Sequence, residues 1–163
     1  MCRLFLPVLV AFVVVCASCR TTPSSSSAVH TDIAEAVFRY VAQPALRSEE
    51  DSHELNLVHK VYFLRIDGRD PSPEFLRCLR DMNAPVKPLS SSVERGAYRY
   101  DARTGERGAA FYIHDIQLIG RKRATAGVDL NPGGALRASG SIYHLVMKDG
   151  KWVVVGEKLR WIS

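Results

Sequence analysis

Two apolar stretches of this chain are interrupted by a polar set: Tyr112, His114 and Asp115 in one, Tyr143 and His144 in the other. An imidazole close to a carboxylate and a phenol can serve as a general base or as a hydrogen-bond donor to a ligand. If the stretches are strands, Tyr112 and His114 point the same way, because strand side chains alternate. On an inward face they line a cavity around His114, with Tyr143 and His144 as the further lining candidates. The competing reading is that an isolated strand histidine is a satisfied or surface residue. Nothing else in the chain supplies a reaction. The five histidines, His30, His53, His59, His114 and His144, hold no pair at helical ligand spacing, and Cys78 has no partner thiol, so no metal or other cofactor is expected. Gly133-Gly134 follows Pro132 and lacks the Lys-Ser or Lys-Thr step of a phosphate loop, which leaves a tight turn as the better account. No Gly-x-Ser-x-Gly leads from a strand into a helix; the nearest approach, Ala138-Ser-Gly-Ser-Ile142, sits inside a strand pattern. The chain leans away from catalysis.

The other residue with chemistry in prospect is Cys19. Arg3 supplies a positive start, Leu4 to Cys16 an apolar run of 13 residues, and Ala17 and Ser18 the small residues that a signal peptidase needs. A membrane helix needs roughly 20 apolar residues, so the run is too short to span and reads as a removable signal segment. Cys16-Ala17-Ser18-Cys19 resembles the lipobox of bacterial lipoproteins, with Cys16 where that family usually has Leu. The resemblance implies that Cys19 becomes the first mature residue and carries a diacylglyceryl thioether and an amide-linked acyl chain. Two or more chains make membrane attachment stable, where one gives only marginal binding. Residues 1–18 are then a signal peptide and 19–27 a Ser-rich tether that lifts a domain off the membrane. Arg20, where an Asp would follow the family's other sorting pattern, implies an outer-membrane anchor facing the periplasm in a host with two membranes. An ordinary secretory signal cut near Ala17 or Ser18, releasing a soluble exported protein, is the alternative.

Residues 28–163 are expected to form one domain, an ordinary length for a single core. With Cys2 and Cys16 removed and Cys19 lipidated, Cys78 is the only thiol left, so stability has to come from burial and not from an internal disulfide. The net charge is +5, mild and interspersed with acids. Together with export, this argues against nucleic acid as a partner. Arg121-Lys122-Arg123 is the one tight basic cluster. It reads as a solvated turn, or else as a contact for anionic headgroups or an anionic surface polymer.

The elements that must position these residues follow from periodicity. Asp32 and Glu35 resemble a capping box, and Ile33, Val37, Phe38 and Val41 then recur at helical spacing up to Pro44. Residues 60–66 are apolar on both faces and read as a buried strand. Ser72-Pro73-Glu74 starts a second helix running to about Met82, with Phe75, Cys78, Leu79 and Met82 on one buried side. Residues 83–92 read as a loop. Strands are then expected at 93–100, 109–119, 124–130, 139–147 and 151–162, the last two joined by the hairpin signal Asp149-Gly150. The closing Tyr143-to-Val155 segment, with its Asp-Gly-Lys-Trp step, resembles the final strands of exported cystatin-like and nuclear-transport-factor-2-like domains. That resemblance implies an α+β cone, with an N-terminal helix on a curved antiparallel sheet burying Phe111, Ile116, Trp152 and Val154. A small β-barrel is the alternative. Two functions are compatible with this architecture. One is a membrane-tethered, non-catalytic module binding another envelope protein by the sheet's outer face or edge. The other is a small-molecule binder or enzyme built on His114.

Overall fold

The computed structural model describes residues 25–42, 60–133 and 138–163. Cys19, the leader and most of the tether lie outside the described residues, as do His53, His59 and Gly134. Helix α1 spans Ser25–Ala42. Its apolar stripe, Ile33, Ala34, Val37, Phe38 and Val41, is at most 4% exposed. The expected start at Asp32 is not observed. Seven residues before it are already helical, so Asp32 lies inside the helix and Ser25 to Ser27, assigned above to the tether, belong to α1. Thr31 Oγ1 donates to the Ser27 carbonyl at 2.9 Å, which occupies a hydroxyl that would otherwise compete with the helix ladder.

Strand β1 is Val61–Ile66, helix α2 is Pro73–Cys78 and strand β2 is Val86–Pro88. A 3₁₀ turn at Leu89–Ser91 leads into β3 (Ser92–Arg95) and β4 (Tyr98–Asp101). Four long strands complete the sheet: β5 (Arg107–Leu118), β6 (Arg123–Asn131), β7 (Ser139–Lys148) and β8 (Lys151–Ile162). The order is β2-β1-β5-β6-β7-β8, with the β3–β4 ribbon joined to the start of β5. The architecture is α+β, as expected, and two finer expectations are corrected. The sheet is open and not a barrel, and it is mixed and not antiparallel. β1 runs parallel to both β2 and β5. Parallel neighbours require a crossover; α2 supplies one, and the passage through β2, β3 and β4 supplies the other. Residues 83–92 are likewise not all loop. Pro88 is tolerated opposite Leu64 because β2 is an edge strand, where a missing N–H costs no ladder bond.

Helix α2 has the expected cap: the Ser72 hydroxyl accepts from the Phe75 N–H at 3.2 Å, with proline in the first turn. It ends four residues earlier than expected, and Cys78 is exposed, not buried. Phe75 and Leu79 do face the core. The end of α2 is fastened to α1 by Arg39. Its guanidinium donates to the Cys78 carbonyl (2.5 Å), to both Asp81 oxygens (2.9 and 3.0 Å) and to Glu35 (2.9 Å). Arg39 thus holds the Asp81 carboxyl below the usual carboxylate range.

α1 crosses β5 to β8 and buries its stripe on them. Phe38, Tyr62 and Phe111 meet edge to face there, with centroids 5.2 to 6.3 Å apart. Phe111, Ile116 and Trp152 are in this core and Val154 packs at its margin, as the sequence leads one to expect. A second, smaller core lies on the far face: Val61, Phe63, Leu89 and Ala110, with Tyr112 against them. Two-sided burial accounts for the apolar run of β1. Among the described residues no helix is long and apolar enough to cross a membrane.

Candidate functional site

The far face of β5 to β8, opposite α1, collects most of the polar set. Register places Arg65, Tyr112, Asp129, Gly140 and Trp161 in one row across five strands, with His114, Gly127, Ile142 and Lys158 in the adjacent row. Two glycines leave room for rings. A Cβ on Gly127 would stand 2.5 to 3.1 Å from the His114 imidazole, and one on Gly140 would stand 2.2 Å from Trp161 Nε1 and 2.4 Å from Asp129 Oδ1. The imidazole therefore sits over Gly127 of β6 and the edge of the indole over Gly140 of β7, beside an Asp129 carboxylate oxygen.

A β-bulge sets this geometry. The β5–β6 register slips between His114 and Gln117, and Asp115 adopts φ 52°, a left-handed conformation that asparagine and aspartate tolerate better than other non-glycine residues. The Asp115 carboxylate swings back to His114 Nδ1 at 2.9 Å. On the other side His114 Nε2 faces Asp129 Oδ2 at 3.3 Å, an ion-pair distance without hydrogen-bond alignment. Nε2 and Asp129 Oδ1 are both shut off from solvent and lack a hydrogen-bond partner. A groove of about 360 Å³, lined by Asp115, Gln117, Thr125, Gly127, Ile142 and Arg160, opens beside the imidazole.

Of the residues picked from sequence, Tyr112 and His114 share a face, and His144 lies on that same face, exposed, opposite Thr125. Tyr143 is on the opposite face, 2% exposed beneath α1, edge to face with Tyr40 and donating to Glu157 Oε1 at 2.8 Å. The four thus do not converge on one pocket: Tyr112 borders a separate groove of about 390 Å³ with Arg65 and Arg99. His30 belongs to a third recess, about 610 Å³, between α1 and the Asp67-to-Ser72 turn. Arg121, Lys122 and Arg123 lie exposed at the β5–β6 turn. Sequence reasoning passed over Asp129 and Trp161. Alternate apolar positions from Ala124 to Leu130 leave Asp129 on the wet side of its strand, but its meeting with His114 depends on register. Among the described residues no group of three or more His, Cys, Asp or Glu side chains could hold a metal.

The glycine floor can be tested directly. Gly127→Ala is expected to cost about 1–3 kcal/mol by overpacking and to displace the His114 imidazole signals in NMR spectra. Gly156→Ala is the control. Its Cβ would stand at an ordinary 3.9 Å from the His144 ring, and its stability should stay within about 0.5 kcal/mol of wild type.

Fold and site together define an α+β protein in which one long helix covers one face of an open mixed sheet and a carboxylate–imidazole–carboxylate group occupies the other. No family model, no curated protein and no solved structure matches the chain.

Proposed function

We propose that the chain is a lipid-anchored envelope protein whose domain binds a partner protein through β8 and catalyses nothing. The observation that carries this reading is the edge of the sheet. β8 is the terminal strand, and Val153, Val155, Leu159, Trp161 and Ile162 along it are 39–53% exposed, while the helix-covered face is filled. Exposed apolar groups gathered on one strand mark interaction surfaces more often than singly scattered ones do. Lys151, Lys158 and Arg160 lie along the same strand, whose one acid, Glu157, accepts from Tyr143. The partner that fits is an extended segment carrying apolar and acidic side chains.

Bulges at Val155 and Arg160 interrupt the β7–β8 register. They also break the edge that a continuous added strand would need, so side chains and not a long main-chain ladder hold the partner. The same bulges blunt self-association. The anchor at Cys19 supports the reading by concentrating the domain beside membrane-bound partners. The helix lying across consecutive antiparallel strands supports placing the fold with the cystatin-like or nuclear-transport-factor-2-like domains, from which the parallel β1 departs.

The test compares membrane extracts of cells making wild type, Cys19→Ser and Leu159→Lys. Wild type should begin at Cys19 with acyl mass and cross-link to one protein; Cys19→Ser should lose the acyl mass, and Leu159→Lys should keep it and lose the cross-link. An unacylated mature form cut elsewhere overturns the anchor, and an undiminished cross-link in Leu159→Lys overturns the docking edge.

A further inference from the structure

We propose that the end of the sheet formed by the β5–β6 and β7–β8 turns seats on the anionic surface of the membrane that holds the Cys19 anchor, so that the docking part of β8 points away from the bilayer. The inference rests on the anchor proposed above and adds to it a second contact and an orientation.

Chain length limits where the anchor can be. Arg20 to Ser24 are all that stands between Cys19 and the first residue of α1, Ser25. Six Cα-to-Cα steps reach at most about 22 Å, whatever conformation they take. The start of α1 is therefore held within that distance of the acyl chains. Topology decides what lies beside it. Ser27, His30 and Thr31 of α1 line one recess with Ile66, the last residue of β1, and Ile116, near the end of β5. β1 and β5 are parallel, so both finish at this end of the sheet. Register brings the start of β6, the end of β7 and the start of β8 to the same end, through the pairs Leu118–Ala124, Arg123–Val146 and Lys148–Lys151.

This end presents what an anionic headgroup layer takes up. In and beside the two turns, Arg121, Lys122, Arg123, Lys148 and Lys151 stand exposed against one acid, Asp149. Among the described residues, none of the five makes a side-chain hydrogen bond or an ion pair. Backbone bonds hold the turns together. The Ile119 N–H donates to the Arg123 carbonyl at 2.7 Å, and the Met147 N–H donates to the Lys122 carbonyl at 2.9 Å, which ties one turn to the other. Leu118 and Ile119, 41% and 48% exposed, lie beside the cations. Cations flanking exposed aliphatic side chains match a surface that is charged at the headgroups and apolar just below them. The turn after β1 carries Asp67, Arg69 and Asp70 and adds no net positive charge, which leaves the contact on the β5-to-β8 side. β8 starts at this end and runs away from it, and the rise from Lys151 to Leu159 carries the docking residues about 25 Å off. A partner then meets β8 clear of the headgroups.

The test uses the membrane-extracted protein, reconstituted in vesicles of phosphatidylcholine alone or mixed with phosphatidylglycerol. Cys78→Ser removes the exposed native thiol. A polarity-sensitive dye is then attached at Ile119→Cys or, beyond the opposite end of β5, at Arg103→Cys. On mixed vesicles the dye at 119 should shift to the blue and be quenched by brominated acyl chains, while the dye at 103 reports water. On neutral vesicles, or in high salt, both should report water. Each cation near an anionic surface is worth about fivefold, so Arg121→Gln, Lys122→Gln and Arg123→Gln together should weaken seating about a hundredfold. A dye at 119 that reports water on mixed vesicles overturns the seat, as does a dye at 103 that is quenched equally. A response at 119 to soluble polyphosphate but not to mixed vesicles overturns it in favour of an anionic polymer. Acyl mass is read on the same samples, and a protein found unacylated is added to the vesicles from solution. Quenching at 119 then keeps the seat and overturns the anchor; no quenching overturns both.

Discussion

Phe38→Ala is expected to cost about 3–5 kcal/mol of folding stability, the largest loss of any single truncation considered for this chain. Phe38 is 1% exposed and is the residue through which α1 reaches across two strands at once. Its ring meets Phe111 of β5 at 5.2 Å and 82°, and Tyr62 of β1 at 6.3 Å and 79°. Truncation removes two edge-to-face contacts and leaves a cavity between helix and sheet that α1, fastened at this same end by the adjacent Arg39, can close only in part. A domain of this size is stable by about 5–15 kcal/mol in all, so the variant sits near the threshold of unfolding. Urea unfolding followed by circular dichroism measures the effect. Phe38→Leu, which fills most of the volume, should lose less than half as much. Equal losses for the two variants would mean that the aromatic contacts, and not the filled volume, hold α1 in place.

Burial was legible in the sequence, and pairing was not. The helical spacing of Ile33, Val37, Phe38 and Val41 and the two-sided apolar run of residues 61–64 each record how much water a face excludes, and both faces are dry in the structure. Strand direction leaves no such mark. Whether β1 lies parallel or antiparallel to β5 depends on the path between them, and Pro85 and Pro88 in that path read equally well as loop or as edge strand. Helix start was lost for a related reason: Ser25 to Ser27 carry no apolar periodicity, so a helix continuing into them looks like tether. At the site, alternation was enough to put Tyr112 and His114 on one face, and it also separates Tyr143 from His144. It could not say which face is covered by α1. The Asp115 bulge follows from a register slip and the meeting of His114 with Asp129 from the register before it, and both are properties of two strands and not of one sequence window.

The two faces of the sheet are divided in kind along the chain. Where β1 and β2 lie, the far face is covered by Leu89 of the 3₁₀ turn and carries a small dry core. Where β6 to β8 lie, it carries glycines, an imidazole and an indole. A substitution on the far face near β1 therefore falls in a packed layer, and one near β6 to β8 falls among polar groups and half-exposed rings.

The ion pair between Asp101 and Lys87 should show the strongest pH signature among the described residues. Asp101 is 2% exposed, pairs with the Lys87 ammonium of β2, and accepts the Thr104 and Arg103 N–H groups at 2.8 and 2.9 Å. It thereby joins β2, the end of β4 and the turn into β5. Chiefly the Lys87 ammonium, and then the two N–H groups, hold its carboxyl well below the usual carboxylate range. A depressed carboxylate contributes stability that is complete above its unfolded pKa, about 3.9, and that is lost as pH falls further toward the folded value. Asp101→Asn keeps an oxygen for both N–H groups and removes only the charge, leaving the half-buried Lys87 ammonium unpaired. Uncompensated charges are among the costliest single-site changes. Asp101→Asn should therefore lower Tm at pH 7 by more than neutralising the exposed Glu94, the partner of Arg99 on the same ribbon. Asp101→Ala should lower it further, because the turn loses its acceptor as well. Thermal scans of wild type and Asp101→Asn should differ by a constant amount down to about pH 5 and converge below about pH 4, where the wild-type carboxylate begins to lose its advantage. A gap that stays constant down to about pH 2 would mean that shape at Asp101, and not its charge, closes this end of the sheet.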